Sequence, residues 1–342
     1  MAVTLVAGDA GAQPTTANER KPVAVVGNTW LPIGNGALVA AFASHALDGT
    51  HADVHTAVVV IHGNTRDADV YHANMLATVR KADAAGLTRA STTLVVAPQF
   101  LTDVDARGHT LPAGAAYWSD EGWKGGEAAL APASKPESFA ALDTLLETFA
   151  DRTRFPALRR IVVAGHSAGG QVLHRYAVVG RGDAAATRAW IDVRYIIANP
   201  SSYLYLTSER PTGNGGFAPY DASRCFDFNA YRFGFEHAPA YVSARPADTI
   251  TREYRARRVV YLLGTADNDP NHRALDKRCP AMAQGPHRLA RGEAYHAHVL
   301  RVLGPDVART HRKVLVEGVG HANGAMFGSA AGQSALFGAW PQ

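Results

Sequence analysis

The residues best suited to chemistry in this chain lie in the pentapeptide Gly165-His166-Ser167-Ala168-Gly169. The run RIVVA precedes it and an apolar-periodic stretch at 168–179 follows it, which predicts a strand, an abrupt turn and a helix. Small residues around the turn leave room for the chain and expose the serine hydroxyl at the strand end. A hydroxyl beside a helix amino terminus, where developing negative charge is stabilised, is suited to nucleophilic attack.

This strand–turn–helix context resembles the nucleophile elbow of the α/β-hydrolase superfamily, and the resemblance implies that Ser167 is the nucleophile. A phosphate-binding loop is excluded because Gln171 stands where a Walker motif needs lysine. The segments 199–205 and 318–328 further resemble an uncharacterised bacterial branch of these hydrolases, a likeness that implies no substrate.

The resemblance also implies an acid and a base that follow the serine in chain order. The apolar run at 258–263 ends in a glycine-containing turn, and Asp267 just beyond it is the expected acid, with Asp269 as the alternative. His321 follows a last short strand and a small residue, and it is the expected base. Ser167, Asp267 and His321 thus occur in the order that the superfamily requires.

A loop after the strand at 56–61 is the second part of the resemblance. In α/β-hydrolases, this loop supplies a backbone N–H to the oxyanion hole. The resemblance therefore implies that Asn64 and Ala168 donate their N–H groups to a developing oxyanion. The chain lacks the longer glycine run of lipase-type loops, so Gly63 and Thr65 remain alternatives to Asn64.

Short apolar runs alternate with helical patterns along the chain, which predicts an α/β fold with a mostly parallel sheet and helices on both faces. We expect one domain over residues 22–342, the α/β-hydrolase fold, with a lid inserted at about 200–256. Strands are predicted at 56–61, 92–97, 160–164, 193–198, 258–263 and 313–316, and helices at 67–85, 138–150 and 168–179.

Two stretches rich in glycine, proline and aromatic residues, at 101–136 and 200–256, interrupt this alternation. Connections of that length are typically lids or pocket walls, although an insertion that buries its own aromatics is the alternative. We therefore expect Trp118, Trp123 and Tyr203 to contact substrate. Arg66 has two interpretations, an anion contact in the pocket or a structural ion-pair partner.

These features favour a hydrolase of carboxylic esters that acts through an acyl-enzyme on a bulky apolar or aromatic ester, either a small molecule or a polymer. An amide-bond hydrolase or peptidase with the same triad is the alternative, and a non-catalytic binding protein on this fold is a third. No cofactor is expected. No metal is expected either, because His51 and His55 have no evident third ligand.

Composition bounds the class of protein. The 342 residues are 47% hydrophobic and 19% charged, which is typical of a globular chain rather than a disordered one or a coiled coil. A net charge of +4 without a polybasic run argues against a nucleic-acid partner. No apolar run is long enough to span a bilayer. The oligomeric state stays open.

Cysteine usage and the N-terminus bear on the compartment. Residues 1–21 combine a short apolar stretch with an Ala-Gly-Ala pattern, which favours a signal-peptide remnant over an ordinary N-terminal extension. On the resembled fold Cys225 and Cys279 both lie above the sheet, where a disulfide would clip the lid to the body; two free thiols are the alternative. We expect a secreted or periplasmic protein, with a cytoplasmic location as the alternative.

Overall fold

The computed structural model describes residues 21–340, and in that range eight strands form one central sheet. The strands are β1 (Thr29–Pro32), β2 (Leu38–Ala43), β3 (Thr56–Ile61), β4 (Thr93–Gln99), β5 (Arg160–His166), β6 (Asp192–Ala198), β7 (Glu209–Pro211), β8 (Phe217–Pro219), β9 (Arg258–Gly264) and β10 (His311–Val316). The sheet order is β1-β2-β4-β3-β5-β6-β9-β10, while β7 and β8 form a separate hairpin. β2 is antiparallel to both of its neighbours, and all other pairs in the large sheet are parallel.

Helices cover both faces of the sheet, which confirms the predicted α/β class. The helices are α1 (Ala68–Ala84), α2 (Asp103–Gly108), α3 (Ser138–Ala150), α4 (Ala168–Val179), α5 (Asp183–Arg188), α6 (Ala240–Ser243), α7 (Ala247–Ala256), α8 (Cys279–Met282), α9 (Arg288–Leu303), α10 (Asn323–Gly328) and α11 (Ala330–Phe337). Side chains alternate across the central strand β3: Val58 and Val60 join the core under α1, α10 and α11, and Val59 and Ile61 join the core under α3, α4 and α9.

The observed elements agree with the predicted ones where the apolar pattern is continuous, and they differ at ends and edges. β5 continues two residues past the predicted 160–164, because His166 still pairs with Ala198 of β6. The hairpin of β1 and β2 was not predicted, since its turn contains Gly34 and Gly36 at positive φ and few β-branched residues flank it. Of the predicted N-terminal extension, residues 1–20 lie outside the described part of the chain.

The segment 200–256 consists of the β7–β8 hairpin, α6, α7 and irregular chain. Its first residues are buried, and Tyr203 stacks on Tyr295 of α9 with ring centroids 4.7 Å apart. A disulfide joins Cys225 in this segment to Cys279 at the start of α8. The segment is therefore bonded covalently to the chain that follows β9. None of the described helices has both the length and the apolar composition that crossing a bilayer requires.

Candidate active site

Ser167 occupies the sharp turn between β5 and α4. Its backbone has φ 61° and ψ −121°, a region that residues with a side chain rarely adopt. The Ser167 N–H donates to the carbonyl of Ala198 at the end of β6, at 3.0 Å, which fixes the turn to the neighbouring strand. The turn therefore presents the serine at the carboxyl edge of the parallel strands.

The glycines that flank Ser167 are required by close backbone contacts. A Cβ atom on Gly165 would lie 2.3 Å from the carbonyl oxygen of Gly169. A Cβ atom on Gly169 would lie 2.2 Å from the carbonyl oxygen of Ile61 on β3. Such distances are far inside van der Waals contact, so a larger residue at either position would push α4 away from the sheet.

His321 and Asp267 meet Ser167 from the loops that follow β10 and β9. The Nε2 atom of His321 lies 2.9 Å from Oγ of Ser167, and its Nδ1 atom lies 2.7 Å from Oδ2 of Asp267. A carboxylate can only accept, so Nδ1 carries the proton and Nε2 is free to accept from the serine hydroxyl. The three side chains that the sequence selected are thus brought together in one hydrogen-bonded chain.

Burial and neighbouring charges set the protonation of this chain. Burial lowers the pKa of His321, and the positive charge of Arg288 lowers it further, against the opposing effect of Asp267. Burial alone would raise the pKa of Asp267, but the hydrogen bond from His321 and the charge of Arg288 outweigh it and hold the pKa below its usual value. At neutral pH the pair is a neutral imidazole beside an ionised carboxylate.

Asn199, at the end of β6, forms hydrogen bonds to both the segment that leads to Asp267 and the loop that carries His321. Its Oδ1 atom accepts from the N–H of Gly264 at 2.9 Å, and its Nδ2 atom donates to the carbonyl of Gly320 at 3.2 Å. Gly264 ends the strand before Asp267, and Gly320 directly precedes His321. Asn199 therefore fixes the spacing between the acid turn and the histidine loop. Sequence reasoning missed this residue, although an Asn-Pro pair at a strand end is a visible signal.

The loop after β3 passes directly beside Ser167. A Cβ atom on Gly63 would lie 3.8 Å from Cβ of Ser167 and 2.8 Å from the hydroxyl of Tyr71. Asn64 lines the same cavity as Ser167, and Ala168 is the first residue of α4. This loop and the first residue of α4 are therefore both adjacent to the serine, which is where the superfamily's oxyanion donors are expected. That Asn64 and Ala168 donate to an oxyanion stays a prediction.

Ser167 and His321 open into a cavity of about 320 Å³. Its wall is rich in hydrogen-bonding groups and includes an exposed arginine. No residue from the predicted lid segment at 200–256 is among the described residues that line it. The lining residues are Gly63, Asn64, Thr65, Asp67, Tyr71, His166, Ser167, His272, Arg273, Ala274, His321, Ala322 and Asn323.

The aromatic residues expected to contact substrate pack in the core instead. Trp118 and Trp123 are fully buried against Phe100, with ring centroids 5.4 and 5.8 Å from it. Tyr203 is fully buried against Tyr295. None of the three lines the cavity at Ser167, so their positions do not support the expected contacts. The alternative interpretation, aromatics that build their own core, accounts for them.

Arg66 is likewise a structural residue and does not line the cavity. Its guanidinium is 1% exposed and its Nε atom lies 2.7 Å from Oδ2 of the fully buried Asp105. It also donates to the carbonyl of Lys21 at 2.9 Å. Of the two interpretations from the sequence, the ion-pair partner is the one that the geometry favours.

Two histidines beside His321 were not selected from the sequence. The ring of His166 lies 4.5 Å from that of His321, and its Nδ1 atom lies 3.1 Å from the hydroxyl of Tyr71. The ring of His272 lies 5.3 Å from that of His321 at a steep angle. Burial lowers the pKa of both His166 and His272. His166 stands inside the serine motif, which was the available signal, whereas nothing local marked His272.

Comparison with known proteins agrees with this architecture. A sequence model described as the alpha/beta hydrolase family matches residues 58–333. The chain belongs to the alpha/beta hydrolase family. This family membership covers the strands and loops that carry Ser167, Asp267 and His321, and it supports a hydrolase in general terms.

Solved structures with the same fold include two hydrolases. Poly(aspartic acid) hydrolase-1 from Sphingomonas sp. KT-1 is 21% identical, with a TM-score of 0.59 over 92% of this chain and 99% of that one. A poly(3-hydroxybutyrate) depolymerase from Bordetella parapertussis is 20% identical, with a TM-score of 0.56 over 90% of this chain and 86% of that one. At this identity the likeness concerns the fold. A search of curated proteins gives no significant match for this hydrolase.

One cluster of potential metal ligands occurs among residues 21–340, formed by Cys225, Asp227 and Cys279. The two sulfur atoms in this cluster are joined in the disulfide, so neither is a thiolate that could bind an ion. The cluster also lies outside the lining of the cavity at Ser167.

Proposed function

We propose that this member of the alpha/beta hydrolase family is a serine hydrolase that cleaves carboxylic esters. The observation that carries the proposal is the continuous hydrogen-bonded chain from Asp267 through His321 to Ser167, which opens into a cavity. A neutral imidazole between a carboxylate and a strained serine is the arrangement that activates a hydroxyl for acyl transfer.

In the first step, Nε2 of His321 takes the hydroxyl proton as Oγ of Ser167 attacks the ester carbonyl. The oxyanion accepts hydrogen bonds from the N–H groups of Ala168 and Asn64, at the positive end of α4. Asp267 holds the imidazole in the Nδ1–H tautomer and stabilises the imidazolium. The imidazolium then protonates the leaving alkoxide, and an acyl-enzyme remains on Ser167.

In the second step, water replaces the alcohol. His321 takes a proton from the water molecule as its oxygen attacks the acyl carbon, and the same N–H groups hold the second oxyanion. The C–O bond to Ser167 breaks, the serine oxygen regains the proton from His321, and a carboxylic acid leaves. No cofactor enters either step.

The cavity favours an ester whose acyl part is small and able to form hydrogen bonds. Its volume is about 320 Å³, and Asn64, Thr65, His272 and Asn323 offer polar groups to a ligand. The expected preference for a bulky apolar or aromatic ester rested on Trp118, Trp123 and Tyr203, which pack in the core. A polymeric ester remains compatible when only one short unit enters the cavity.

The segment 200–256 supports the cavity wall in this proposal rather than forming part of it. Ser201 receives a hydrogen bond from Arg288, and Cys225 is bonded to Cys279, which follows the cavity residues at 272–274. These contacts support a segment that holds the cavity wall in place more than a lid that opens and closes. The disulfide also fits a protein that works in an oxidising compartment, so we propose export from the cytoplasm.

A substrate panel tests the proposed activity. Purified protein and its Ser167→Ala variant are assayed with p-nitrophenyl acetate, p-nitrophenyl 3-hydroxybutyrate, a naphthyl ester and a p-nitroanilide of the same acyl group. We expect ester hydrolysis with the highest kcat/KM for the hydroxybutyrate, and a loss of about 10⁶-fold in kcat in the variant. Faster hydrolysis of the anilide than of its matched ester would instead favour an amide-bond hydrolase. Equal rates in the variant would contradict the role of Ser167.

A further inference from the structure

The side chain of Arg288, the first residue of α9, is buried behind the proposed active site. Its guanidinium is 0% exposed and forms an ion pair with Asp267, which is 3% exposed, with an Nη1–Oδ1 distance of 3.0 Å. A buried guanidinium is costly unless its donors are used, so its partners are informative. It lies outside the cavity lining and does not contact the Ser167 side chain in any described hydrogen bond.

The guanidinium of Arg288 joins three separate segments of the chain. Nε donates to Oγ of Ser201 at 2.9 Å, and Nη2 donates to the carbonyl of Ala274 at 2.6 Å. Nη2 also lies 3.3 Å from Nδ1 of His272. Ser201 lies at the start of the 200–256 segment, Asp267 in the turn after β9, and His272 and Ala274 in the cavity wall. One side chain thus ties the acid to the wall beside the serine.

The first consequence concerns the orientation of the Asp267 carboxylate. Its two oxygens have different partners, Oδ1 with Arg288 and Oδ2 with Nδ1 of His321. The backbone carbonyl of Asp267 also accepts from the N–H of Leu289, at 3.2 Å, so α9 contacts both the side chain and the backbone of the acid. Rotation of the carboxylate away from His321 would break the ion pair with Arg288.

The second consequence concerns the tautomer of His272. Its Nδ1 atom accepts from the N–H of Ala274 at 3.2 Å and faces Arg288, which has only donors. Nδ1 is therefore unprotonated, and the ring proton lies on Nε2. Since His272 lines the cavity with its ring 5.3 Å from that of His321, this tautomer makes Nε2–H a donor in the wall of the site.

We propose that Arg288 is a positioning residue for the reaction, holding the Asp267 carboxylate toward His321 through Nη1 and the His272 imidazole in its Nε2–H form through Nη2. The inference deepens the proposed function and rests on it for its catalytic meaning. Arg288 acts through these two residues and does not touch the reacting atoms.

Charge provides a second effect of Arg288 that can be measured directly. The positive guanidinium disfavours a second positive charge on His321, and it is one of the causes that lower the pKa of that imidazole. Removing the charge therefore raises the pKa of His321. The other charged or titratable groups around His321 stay in place: Asp267, Asp269, His272 and Arg273 from the loop after β9, His166 from β5, and Tyr71 and Asp67 from α1 and its N-cap.

Arg291, one turn further along α9, is a matched control. It is also fully buried, and its donors go to the carbonyls of Gly285, Ser201 and Asp276 and to Sδ of Met282. It has no described contact with Asp267 or His272. Loss of Arg291 therefore reproduces the structural cost of removing a buried guanidinium from α9 without touching the acid.

The experiment compares Arg288→Gln, Arg288→Lys and Arg291→Gln with the unaltered protein. Histidine titrations are followed by NMR on protein with ¹⁵N-labelled histidine, together with kcat/KM for the best ester as a function of pH. We expect Arg288→Gln to raise the pKa of His321 by about half to one unit, through loss of an adjacent charge. Arg288→Lys keeps the charge, so it leaves that pKa unchanged but lowers kcat/KM about ten- to a hundredfold through misplacement of the acid. Arg291→Gln is expected to change neither the pKa of His321 nor kcat/KM.

The unaltered protein provides a test that does not depend on any variant folding. The ¹⁵N shifts of His272 at pH 7 report its tautomer, and the proposal requires the neutral Nε2–H form. An Nδ1–H or cationic His272 would overturn the proposal. So would a titration of His321 that is the same in Arg288→Gln as in Arg291→Gln.

The NMR titrations also separate this inference from the proposed function. Absence of Ser167-dependent hydrolysis in the unaltered protein would contradict the proposed function, while the histidine pKa values and the tautomer would still test the role of Arg288. Ser167-dependent hydrolysis together with an unchanged pKa of His321 in Arg288→Gln would contradict the inference alone.

Discussion

The Nε2 atom of His321 lies 2.9 Å from Oγ of Ser167, although 154 positions separate the two residues in the chain. Ser167 follows β5 and His321 follows β10, and two strands, β6 and β9, lie between them in the sheet. At the usual spacing, β10 is about 14 Å from β5, so the histidine loop must reach back across two strand ends. Asn199 and Asp267, on those two intervening ends, contact that loop and hold it there.

Replacement of the acid separates the two carboxylates that the sequence left open. Asp267→Asn is expected to lower kcat by about 10⁴-fold, because an amide can no longer hold His321 in the Nδ1–H tautomer. Asp269→Asn is the matched control, since Asp269 is exposed and its carboxylate accepts, among the described hydrogen bonds, only from the N–H of Asn271 at 2.8 Å. Steady-state kinetics with one ester give kcat for both variants. A larger loss of kcat in Asp269→Asn than in Asp267→Asn would make Asp269 the acid.

The pH dependence of hydrolysis follows from the lowered pKa of His321. The reaction needs the neutral imidazole, and burial together with Arg288 keeps that form present at a pH below the usual histidine pKa of 6.5. The acid limb of kcat/KM should therefore have its midpoint below 6.5, with full activity above it. Rates measured from pH 4.5 to 8 in buffers of constant ionic strength test this. A midpoint above 6.5 would mean that His321 is not the titrating base.

Arg66 is expected to matter for folding and not for catalysis. Arg66→Met leaves the Asp105 carboxylate buried without its ion-pair partner, which typically costs about 3–5 kcal/mol in the free energy of unfolding. Arg107→Met is the control, because its ion pair with Asp103 is 68% and 36% exposed and should contribute less than about 1 kcal/mol. Urea unfolding gives both values. A large change in KM with unchanged stability in Arg66→Met would restore the pocket interpretation.

The disulfide is expected to stabilise the fold by closing a long loop. Cys225 and Cys279 are 54 positions apart, for which the chain-entropy model gives about 4 kcal/mol. The Cys225→Ser/Cys279→Ser double variant should lose stability of that order, and a reductant should destabilise the unaltered protein to the same extent. Thiol titration of the unfolded, unreduced protein should detect no free thiol. Two free thiols would contradict the bond.

The elements around the serine could be predicted because their local signals agree with their environment. The observed bounds of β3, α3 and α4 are the predicted ones. A β-branched run prefers a strand and an apolar period of 3.6 prefers a helix, and the buried positions of these segments in the fold agree with those preferences. The carboxyl edge of such strands also indicates where Asp267 and His321 should meet Ser167. Position just beyond a strand, together with the chain order of the resembled superfamily, therefore selected His321 and favoured Asp267 while leaving Asp269 as the alternative.

The residues whose expected contacts the structure does not support, and those that the sequence did not reveal, depend on long-range packing. Aromatic content in a loop does not tell which side chains turn inward, and Trp118, Trp123 and Tyr203 all pack in the core. Arg288 reaches Asp267 only because α9 docks with its first turn against the acid loop, which no local pattern encodes. His272, which lines the cavity, likewise contacts Arg288 across 16 positions of the chain.

Covalent labelling tests the proposed nucleophile most directly. The folded protein is treated with a fluorophosphonate probe, digested and mapped by mass spectrometry, beside the Ser167→Ala and His321→Ala variants. We expect one modified serine, Ser167, with no labelling in Ser167→Ala and much slower labelling in His321→Ala, because the imidazole activates the hydroxyl. Labelling at another serine, or none in protein whose fold is verified by circular dichroism, would contradict the assignment of Ser167 as an activated nucleophile.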